Sequence, residues 1–377
     1  MDSQLNDTQR EIQSLAAKFA LKEIAPIVDE DEANSHFRKE LFPKLGAAGL
    51  IGITIDPEFG GSGLGSLEYS LVLEEIAYHS SAYATSLSVT ALPLKLIAEF
   101  GNDAIKKKYV PRLVSGEILG AFCLTEASSG SDASGLRSTA KRKGDHYILN
   151  GTKQFITNGE FADIYVVMAR TGPQDLGSAG VSAFVVERSW KGVSGGKLEK
   201  KMGMRASPTQ EMIFENVEVP AENLLAHEGE GLRSALRALD GGRISIAAIA
   251  NGLSRAALDA AVAYAKEREQ FGKKIIEFQG VSFLLADMAT KLAASQALTM
   301  LAANIKDHGE HATKLASMAK LHASESCMRI TTDAVQILGG YGYIEEYRVE
   351  RYMREAKMLE IVEGTSQIQR VVIARNL

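Results

Sequence analysis

The spacing of hydrophobic residues divides the chain into three segments, and the first has the pattern of helices. Its first apolar run, at intervals of three and four, consists of Ile12, Leu15, Ala16 and Phe19. These intervals place the four side chains on one face of an α-helix. Asn6–Gln9 is typical of a helix start, and Pro26 is expected to interrupt or end the helix. We predict an N-terminal helical domain over residues 1–120.

The hydrophobic period changes to two in the second segment, over residues 121–223. Four runs alternate in the manner of β-strands, at 145–149, 163–169, 181–186 and 211–219. The Asn150–Gly151 dipeptide after the first run is a strong signal for a hairpin turn. Because no helical pattern separates the runs, a parallel doubly wound sheet is disfavoured. We predict a middle domain built as a small antiparallel β-barrel.

The third segment, residues 224–377, is again helical. Its apolar stripe consists of Val281, Leu285, Met288, Leu292, Leu298, Leu301 and Ile305. We interpret this stripe as the core of a helical bundle, and the surrounding alanines favour close helix packing. Leu338–Gly340 is typical of a helix end. The predicted fold is therefore α+β and mostly α, with a C-terminal four-helix bundle.

Composition narrows the class of protein. The chain has 377 residues, and its 42 basic and 47 acidic side chains give a net charge of -5, so nucleic acid is not an expected partner. The N-terminus lacks the pattern of a signal peptide, and no apolar stretch approaches the roughly 20 residues of a membrane span, so no membrane insertion is expected. Two cysteines, Cys123 and Cys327, are too few for a disulfide framework and favour a reducing compartment. We expect bacterial cytoplasm or, as the alternative, a processed mitochondrial location.

The histidines and cysteines of the chain do not have the spacing of metal ligands. His308 and His311 come closest, but they lie in a polar run that we interpret as a solvated loop. No metal site is expected.

Two segments of the middle domain have residue types suited to a ligand. The first, Leu124–Gly135, is dense in hydroxyls and glycines, so its backbone N–H groups can bind an anion or a polar ring edge. A Ser/Gly linker is the alternative. In the second, Phe155 and Thr157 point to one face of a strand, which either covers a flat ring or, as periodicity favours, belongs to the core.

Two segments of the C-terminal domain also carry candidate chemistry. Arg268 closes a helix, where it suits the helix dipole and is also able to clamp a phosphate. Glu363 lies beside Ile361 and Val362 in a region typical of a helix start. Its carboxylate is either a simple first-turn cap or a desolvated group with a raised pKa that acts as a base.

Taken together and in order, five motifs resemble those of the acyl-CoA dehydrogenase family along essentially the whole chain. The motifs are Leu124–Gly135 (Leu-Thr-Glu-x-x-Ser-Gly-Ser-Asp-x-x-Gly), Asn150–Lys153 (Asn-Gly-Thr-Lys), Arg268–Gly272 (Arg-x-x-Phe-Gly), Gln336–Gly340 (Gln-Ile-Leu-Gly-Gly) and Glu363–Gln367 (Glu-Gly-Thr-Ser-Gln). The family has a helical domain, a β domain and a helical bundle. The resemblance implies one FAD per subunit and a homo-oligomer, typically a tetramer.

The resemblance also implies roles for individual residues. Those implied to bind the FAD are Phe122, Leu124, Thr125, Gly130, Ser131, Phe155, Thr157, Arg268, Gln270, Phe271, Gln279, Gln336, Leu338, Gly339, Gly340, Thr365 and Gln367. Of these, the set from Arg268 to Gly340 would reach the FAD of a neighbouring subunit. The positions implied for the acyl-CoA substrate are Ser131, Asp240, Arg243, Gly364 and Arg375.

The implied reaction is α,β-dehydrogenation of an acyl-CoA thioester to a trans-2-enoyl-CoA. Glu363 would remove the α-proton while the β-hydrogen leaves as hydride to flavin N5, and an electron-transfer flavoprotein would accept the electrons. Some relatives carry the base immediately before the arginine that is Arg243 here, but this chain has Gly242 at that position. An acyl-CoA oxidase and a non-catalytic, nucleic-acid-binding relative are the alternatives.

Two departures bear on the substrate. Straight-chain dehydrogenases commonly have Tyr before the base, where this chain has Val362, and often Trp at the position of Phe155. Both features resemble isobutyryl-CoA dehydrogenases, whereas Thr365–Arg370 is more similar to short- and medium-chain members. A short-to-medium or α-branched acyl-CoA is therefore expected.

Overall fold

The structure, a computed structural model, describes residues 5–377. Its first segment is helical, and the predicted helix start is confirmed: the Asn6 side chain accepts a hydrogen bond from the Gln9 amide, and the Gln9 side chain accepts one from the Asn6 amide. The helix continues through a wider turn, Ala20–Ile24, and ends just before Pro26. The helices are α1 (Asp7–Phe19), α2 (Val28–Asn34), α3 (Leu41–Ala47), α4 (Ser66–His79), α5 (Ser81–Phe100) and α6 (Asp103–Val114).

An eight-stranded sheet forms the middle segment. Its strands are β1 (Gly120–Cys123), β2 (Thr139–Lys143), β3 (His146–Thr157), β4 (Ile164–Arg170), β5 (Val181–Glu187), β6 (Val193–Leu198), β7 (Thr209–Pro220) and β8 (Leu224–Leu225). They pair in the order β6-β7-β3-β2-β4-β5-β8, and β1 pairs with β4. The pairing is antiparallel except where β1 and one residue of β2 run parallel to β4. A core of its own, including Tyr147, Phe184 and Phe214, lies within this segment.

The predicted hairpin turn at Asn150–Gly151 is wrong, because β3 runs straight through this dipeptide. The turn between β2 and β3 is Gly144–Asp145, where Gly144 has the positive φ of +66° that such a turn requires. Gly151 instead lies at a register shift, where a Cβ would stand 2.1 Å from Ser138 Oγ. The glycine thus permits a close approach of two strands rather than a reversal of the chain.

The third segment contains long helices packed side by side. They are α7 (Gly231–Glu267), α8 (Gln279–Asp307), α9 (Thr313–Leu338), α10 (Val349–Leu359) and α11 (Ser366–Arg375), with a short hairpin of β9 (Glu269–Gln270) and β10 (Lys273–Lys274) after α7. Helix α9 ends at Leu338, as predicted, and Gly339 follows with φ +60°. Leu285, Met288 and Leu292 are buried, but Leu301 is 47% exposed, so the predicted core stripe of α8 is wrong at that position.

One continuous hydrophobic core joins the N-terminal and C-terminal helices. Helix α7 packs tightly against α4, because a Cβ at Gly252 would stand 2.2 Å from the Glu74 carbonyl oxygen. In residues 5–377, α7 is also the one helix long and apolar enough to cross a membrane, but 67% of its most apolar window is buried in the protein. Its apolar composition is that of a core helix.

Candidate active site

The Leu124–Gly135 loop is anchored by a buried ion pair, so the linker alternative is wrong. Lys153, on β3, donates from Nζ to Glu126 Oε1 at 2.7 Å and to the Leu124 carbonyl at 3.2 Å. The Glu126 carboxylate also accepts from the backbone amides of Arg137 and Ser138. Burial opposes ionisation of Glu126, but Lys153 and these donors together hold its pKa below the usual range.

Phe155 projects from β3 into the open, so the prediction that periodicity places it in the core is wrong. Its side chain is 62% exposed, whereas Lys153 and Ile156 are buried. The reason is a register shift between Lys153 and Ile156, at which Phe155 adopts a φ of +58°. A bulky residue rarely has a left-handed backbone, and such outliers cluster at functional sites.

The neighbouring surface combines partly buried apolar groups with an open backbone. Phe122, Leu124, Thr125 and Thr157 are half-buried, and Gly130 and Ser131 are exposed. The Gln154 amide donates to the Thr125 carbonyl at 2.8 Å, which joins β3 to the loop. A Cβ at Gly130 would meet nothing within 4 Å, so its backbone is accessible to a ligand. The structure therefore places β3, which carries Phe155 and Thr157, against the Leu124–Gly135 loop.

Glu363 lies in a tight turn between α10 and α11, with a left-handed φ of +56°. Its carboxylate points at α7, where a Cβ on Gly242 would stand 2.6 Å from Oε2. Glu363 Oε2 is buried and has no hydrogen-bond partner among residues 5–377. Burial raises the pKa of Glu363 to about 7, although Arg243 and Lys320 act to lower it. A carboxyl group with this pKa exchanges its proton near neutral pH.

The turn that carries Glu363 is held by two residues that the sequence reasoning missed. Gln369, on α11, donates from Nε2 to the carbonyl oxygens of Glu363 at 3.0 Å and Gly364 at 2.8 Å. Lys320, on α9, donates from Nζ to the Gly364 oxygen at 2.9 Å. A signal for Lys320 was present in the sequence, because it interrupts an apolar stripe at helical spacing. The stripe is Ala316, Ala319, Ala323 and Cys327.

The predicted substrate residues do not all lie together, and Ser131 is in the Leu124–Gly135 loop of the β domain. Asp240 accepts hydrogen bonds from Arg243 Nη1 at 2.7 Å and from Thr313 Oγ1 at 2.6 Å, so these three residues form one polar cluster. The positive charge of Arg243 also acts to lower the pKa of Glu363. Arg375 is exposed at the far end of α11. Gly364 belongs to the Glu363 turn.

Thr365 and Gln367, the predicted cofactor residues that follow Glu363, differ in their surroundings. Thr365 caps α11 by accepting from the Ile368 amide, whereas Gln367 is exposed in the first turn of that helix.

The predicted cofactor residues of the bundle lie around a separate cavity. An open cavity of about 490 Å³ is lined by Tyr264, Arg268, Gln270, Ile275, Ile337, Leu338, Gly339, Gly340, Tyr341 and Ile344. None of the β-domain residues belongs to this lining, so the predicted cofactor residues of the β domain and those of the cavity form two separate groups within one chain. The Arg268 guanidinium lies over the Tyr341 ring, 5.6 Å from its centroid. Phe271, at φ +52°, is 93% exposed nearby, and Gln279 and Gln336 are exposed but do not line the cavity.

Comparison with known proteins shows which family has this fold and these motifs. The models of the acyl-CoA dehydrogenase N-terminal, middle and C-terminal domains match residues 6–117, 121–217 and 229–377. The chain therefore belongs to the acyl-CoA dehydrogenase family, as its motifs indicated. An acyl-CoA dehydrogenase of Bacillus subtilis (strain 168) is 48% identical over 373 residues, which cover 98% of each chain.

Solved structures agree with this assignment. The butyryl-CoA dehydrogenase of Megasphaera elsdenii superposes with a TM-score of 0.97 at 45% identity, covering 100% of this chain and 99% of the other. A chain from a structure described as the electron transferring flavoprotein of Acidaminococcus fermentans matches with a TM-score of 0.97 at 47% identity, covering 100% and 99%. The predicted three-domain fold is confirmed.

As a member of this family, the protein is an FAD-dependent oxidoreductase. The residues present fit such a cofactor. The exposed Phe155 ring and the open backbone at Gly130 provide a surface for a flat heterocycle, and the cavity at Arg268 offers a guanidinium beside two exposed glycines for an anionic group.

Proposed function

We propose that this protein dehydrogenates an acyl-CoA thioester to a trans-2-enoyl-CoA, with Glu363 as the base that removes the α-proton. One observation carries the proposal: within residues 5–377 a buried oxygen of the Glu363 carboxylate has no hydrogen-bond partner, and burial raises the pKa of this group to about 7. An unpartnered, desolvated carboxylate is a stronger base than an exposed one. It is also free to accept a proton from a bound substrate.

The surroundings of Glu363 suit this role. Its left-handed backbone is stabilised by Gln369, so the carboxylate is held in place before substrate binds. Removal of a thioester α-proton also requires donors for the developing enolate oxygen, and a backbone N–H such as that of Glu363 is of the right type. FAD, when bound, supplies the acceptor for the β-hydride.

The test is the Glu363→Gln variant, which removes the base and keeps the size of the side chain. We expect folded, yellow protein with a loss of kcat of at least about 100-fold, in line with loss of a general base. Retained FAD absorbance and an unchanged circular dichroism spectrum are the controls. Turnover close to that of the unaltered enzyme would place the base elsewhere.

For the substrate, we propose a short-to-medium or α-branched acyl-CoA. The similarity to a butyryl-CoA dehydrogenase supports a short chain. Val362, beside the base, supports an α-branch, because a small side chain leaves room that a tyrosine ring would fill. Discrimination per methylene is only about 1–3 kcal/mol, so kcat/KM is compared for butyryl-, octanoyl-, isobutyryl- and 2-methylbutyryl-CoA. A marked preference for octanoyl-CoA would exclude the branched substrate.

We propose an electron-transfer flavoprotein as the electron acceptor, which the similarity to a chain from the Acidaminococcus structure supports. The alternative acceptor is oxygen, as in an acyl-CoA oxidase. The enzyme is reduced with substrate without oxygen and is then exposed to air. Slow reoxidation without peroxide is expected, and rapid peroxide formation would identify an oxidase.

We propose a homo-oligomer, with a tetramer as the expected state. Two observations support it: the predicted cofactor residues lie in two separate groups, and Phe271, Phe283 and Leu301 are exposed on the bundle. A second subunit would cover these side chains. Sedimentation equilibrium measures the state directly, and a monomer that retains FAD and activity would contradict the proposal.

A further inference from the structure

Lys320 is a completely buried lysine whose hydrogen bond goes to a neutral group. It lies on the inner face of α9, and its Nζ donates to the Gly364 carbonyl oxygen at 2.9 Å. Taking an ammonium group out of water is costly unless a charge compensates it. Anchoring this carbonyl does not require a charge, because the neutral Gln369 amide donates to the same oxygen at 2.8 Å. The positive charge of Lys320 therefore needs another explanation.

The charged groups around Lys320 come from four elements. They are Glu325 on α9, Glu360 at the end of α10, Arg243 on α7 and Glu363 in the turn before α11.

Three of these groups already have partners of opposite charge. Glu325 pairs with Arg370 at 2.8 Å. Glu360 pairs with Lys357 at 2.5 Å, and Arg243 pairs with Asp240 at 2.7 Å. The group without such a partner is the Glu363 carboxylate, which precedes the Gly364 that Lys320 contacts and whose Oε2 has no hydrogen-bond partner in the described part of the chain.

We infer that Lys320 is a positioning residue for the reaction: it holds the turn that carries Glu363 and, together with Arg243, supplies positive charge that favours the anionic form of the buried carboxylate. The inference rests on the proposed role of Glu363 as the base. Lys320 acts through Glu363 and is not assigned a contact with the substrate.

The protonation equilibria of the two groups agree with this geometry. Burial lowers the pKa of Lys320 to about 8, and the Glu363 charge opposes that change. Burial raises the pKa of Glu363 to about 7, and the Arg243 charge and, to a smaller extent, the Lys320 charge oppose it. Each charge therefore favours the ionised form of the other group. Loss of the Lys320 charge is expected to make Glu363 harder to ionise.

The experiment compares Lys320→Met with Gln369→Met in the FAD-loaded enzyme. Both variants lose hydrogen bonds to the same turn, but only Lys320→Met loses a charge. In Lys320→Met we expect the pH midpoint of kcat/KM to rise by about one unit or more, with activity at pH 7 falling about five-fold or more and recovering at higher pH. In Gln369→Met we expect a lower rate at every pH and no shift of the midpoint.

A second measurement does not depend on turnover. Infrared difference titration follows the carbonyl stretch of the protonated Glu363 carboxyl, with Glu363→Gln as the blank. The midpoint of this band should rise in Lys320→Met and stay unchanged in Gln369→Met. An unchanged midpoint in Lys320→Met would overturn the inference and leave the base assignment intact. Activity retained in Glu363→Gln would instead overturn the base assignment.

If Lys320→Met does not fold, Lys320→Arg and Lys320→Gln decide the question. Both alter the shape of the side chain, but only Arg keeps the charge. We expect the infrared midpoint of Lys320→Arg to stay near that of the unaltered enzyme, and that of Lys320→Gln to rise. Equal midpoints in the two variants would refute the electrostatic role.

Discussion

The buried Glu126–Lys153 pair is expected to stabilise the β domain and the loop after β1, and Glu126→Gln tests this. The Lys153 side chain is 0% exposed and that of Glu126 8%, and their charged atoms are 2.7 Å apart. Glutamine keeps the volume but leaves the Lys153 ammonium without a counter-charge. It also turns an NH₂ group towards the donors of Arg137 or Ser138. Breaking one side of such a pair costs about 3–5 kcal/mol.

The assay is urea unfolding followed by tryptophan fluorescence. The chain has one tryptophan, Trp190, which packs against the core of the sheet and so reports on the domain that contains the pair. We expect the free energy of unfolding to fall by about 3–5 kcal/mol, together with weaker FAD retention because the Leu124–Gly135 loop loses its anchor.

The control is Glu269→Gln, which breaks a pair of the same length on the surface. Glu269 and Lys274 are also 2.7 Å apart, but their side chains are 62% and 41% exposed. No resolvable loss of stability is expected there, because water and salt screen the charges.

The pH dependence of the stability of Glu126→Gln provides a further test of the buried ion pair. Burial lowers the pKa of Lys153, so in Glu126→Gln the ammonium is able to lose its proton as the pH rises. The stability deficit should therefore shrink as the pH rises towards the ordinary pKa of lysine, about 10.4, because the folded variant releases this proton before the unfolded chain does. A loss of less than about 1 kcal/mol at neutral pH would refute the view that the pair is a desolvated anchor.

Two further changes test the Glu363 site. Gly242→Ala places a Cβ 2.6 Å from Glu363 Oε2, so displacement of the carboxylate should lower kcat about ten-fold. The control is Gly241→Ala, whose Cβ meets Lys306 at 3.4 Å and which should leave kcat unchanged. Equal kcat values in the two variants would contradict this expectation. Because the folded-state pKa of Glu363 is raised to about 7, its protonated form stabilises the fold at low pH and this contribution is lost as the pH rises towards 7. Glu363→Gln should therefore unfold at higher urea than the unaltered chain at pH 8 and at similar urea near pH 4.5, and a constant difference across this range would argue against a raised pKa.

Several features of the fold could be predicted from the sequence because they depend on residues close together in the chain. The capping box at Asn6 and the end of α9 before Gly339 follow from side-chain types within one helical turn. The change of hydrophobic period from helical to alternating and back is equally local. It marked the order of helical, sheet and helical segments that the structure has.

Other features depend on backbone geometry that periodicity does not record. Alternation along β3 predicted a buried Phe155, but a bulge with a left-handed φ turns the ring outward. The Asn150–Gly151 dipeptide has the composition of a hairpin turn, yet it lies within β3, where Gly151 leaves space for Ser138 of the neighbouring chain segment. Both positions lie at register shifts between β3 and β7, which alternation in the sequence does not reveal.

The sequence by itself determined the family motifs, the order of the segments and the position of the candidate base. Only the tertiary structure decided what surrounds that base. Lys320 and Gly364 are 44 residues apart in the chain, and Gly242 on α7 lies against Glu363 from a third element. The pKa of a carboxyl group depends on burial and on charges a few ångströms away. Those neighbours come from helices distant in sequence, so they are defined only when the bundle packs.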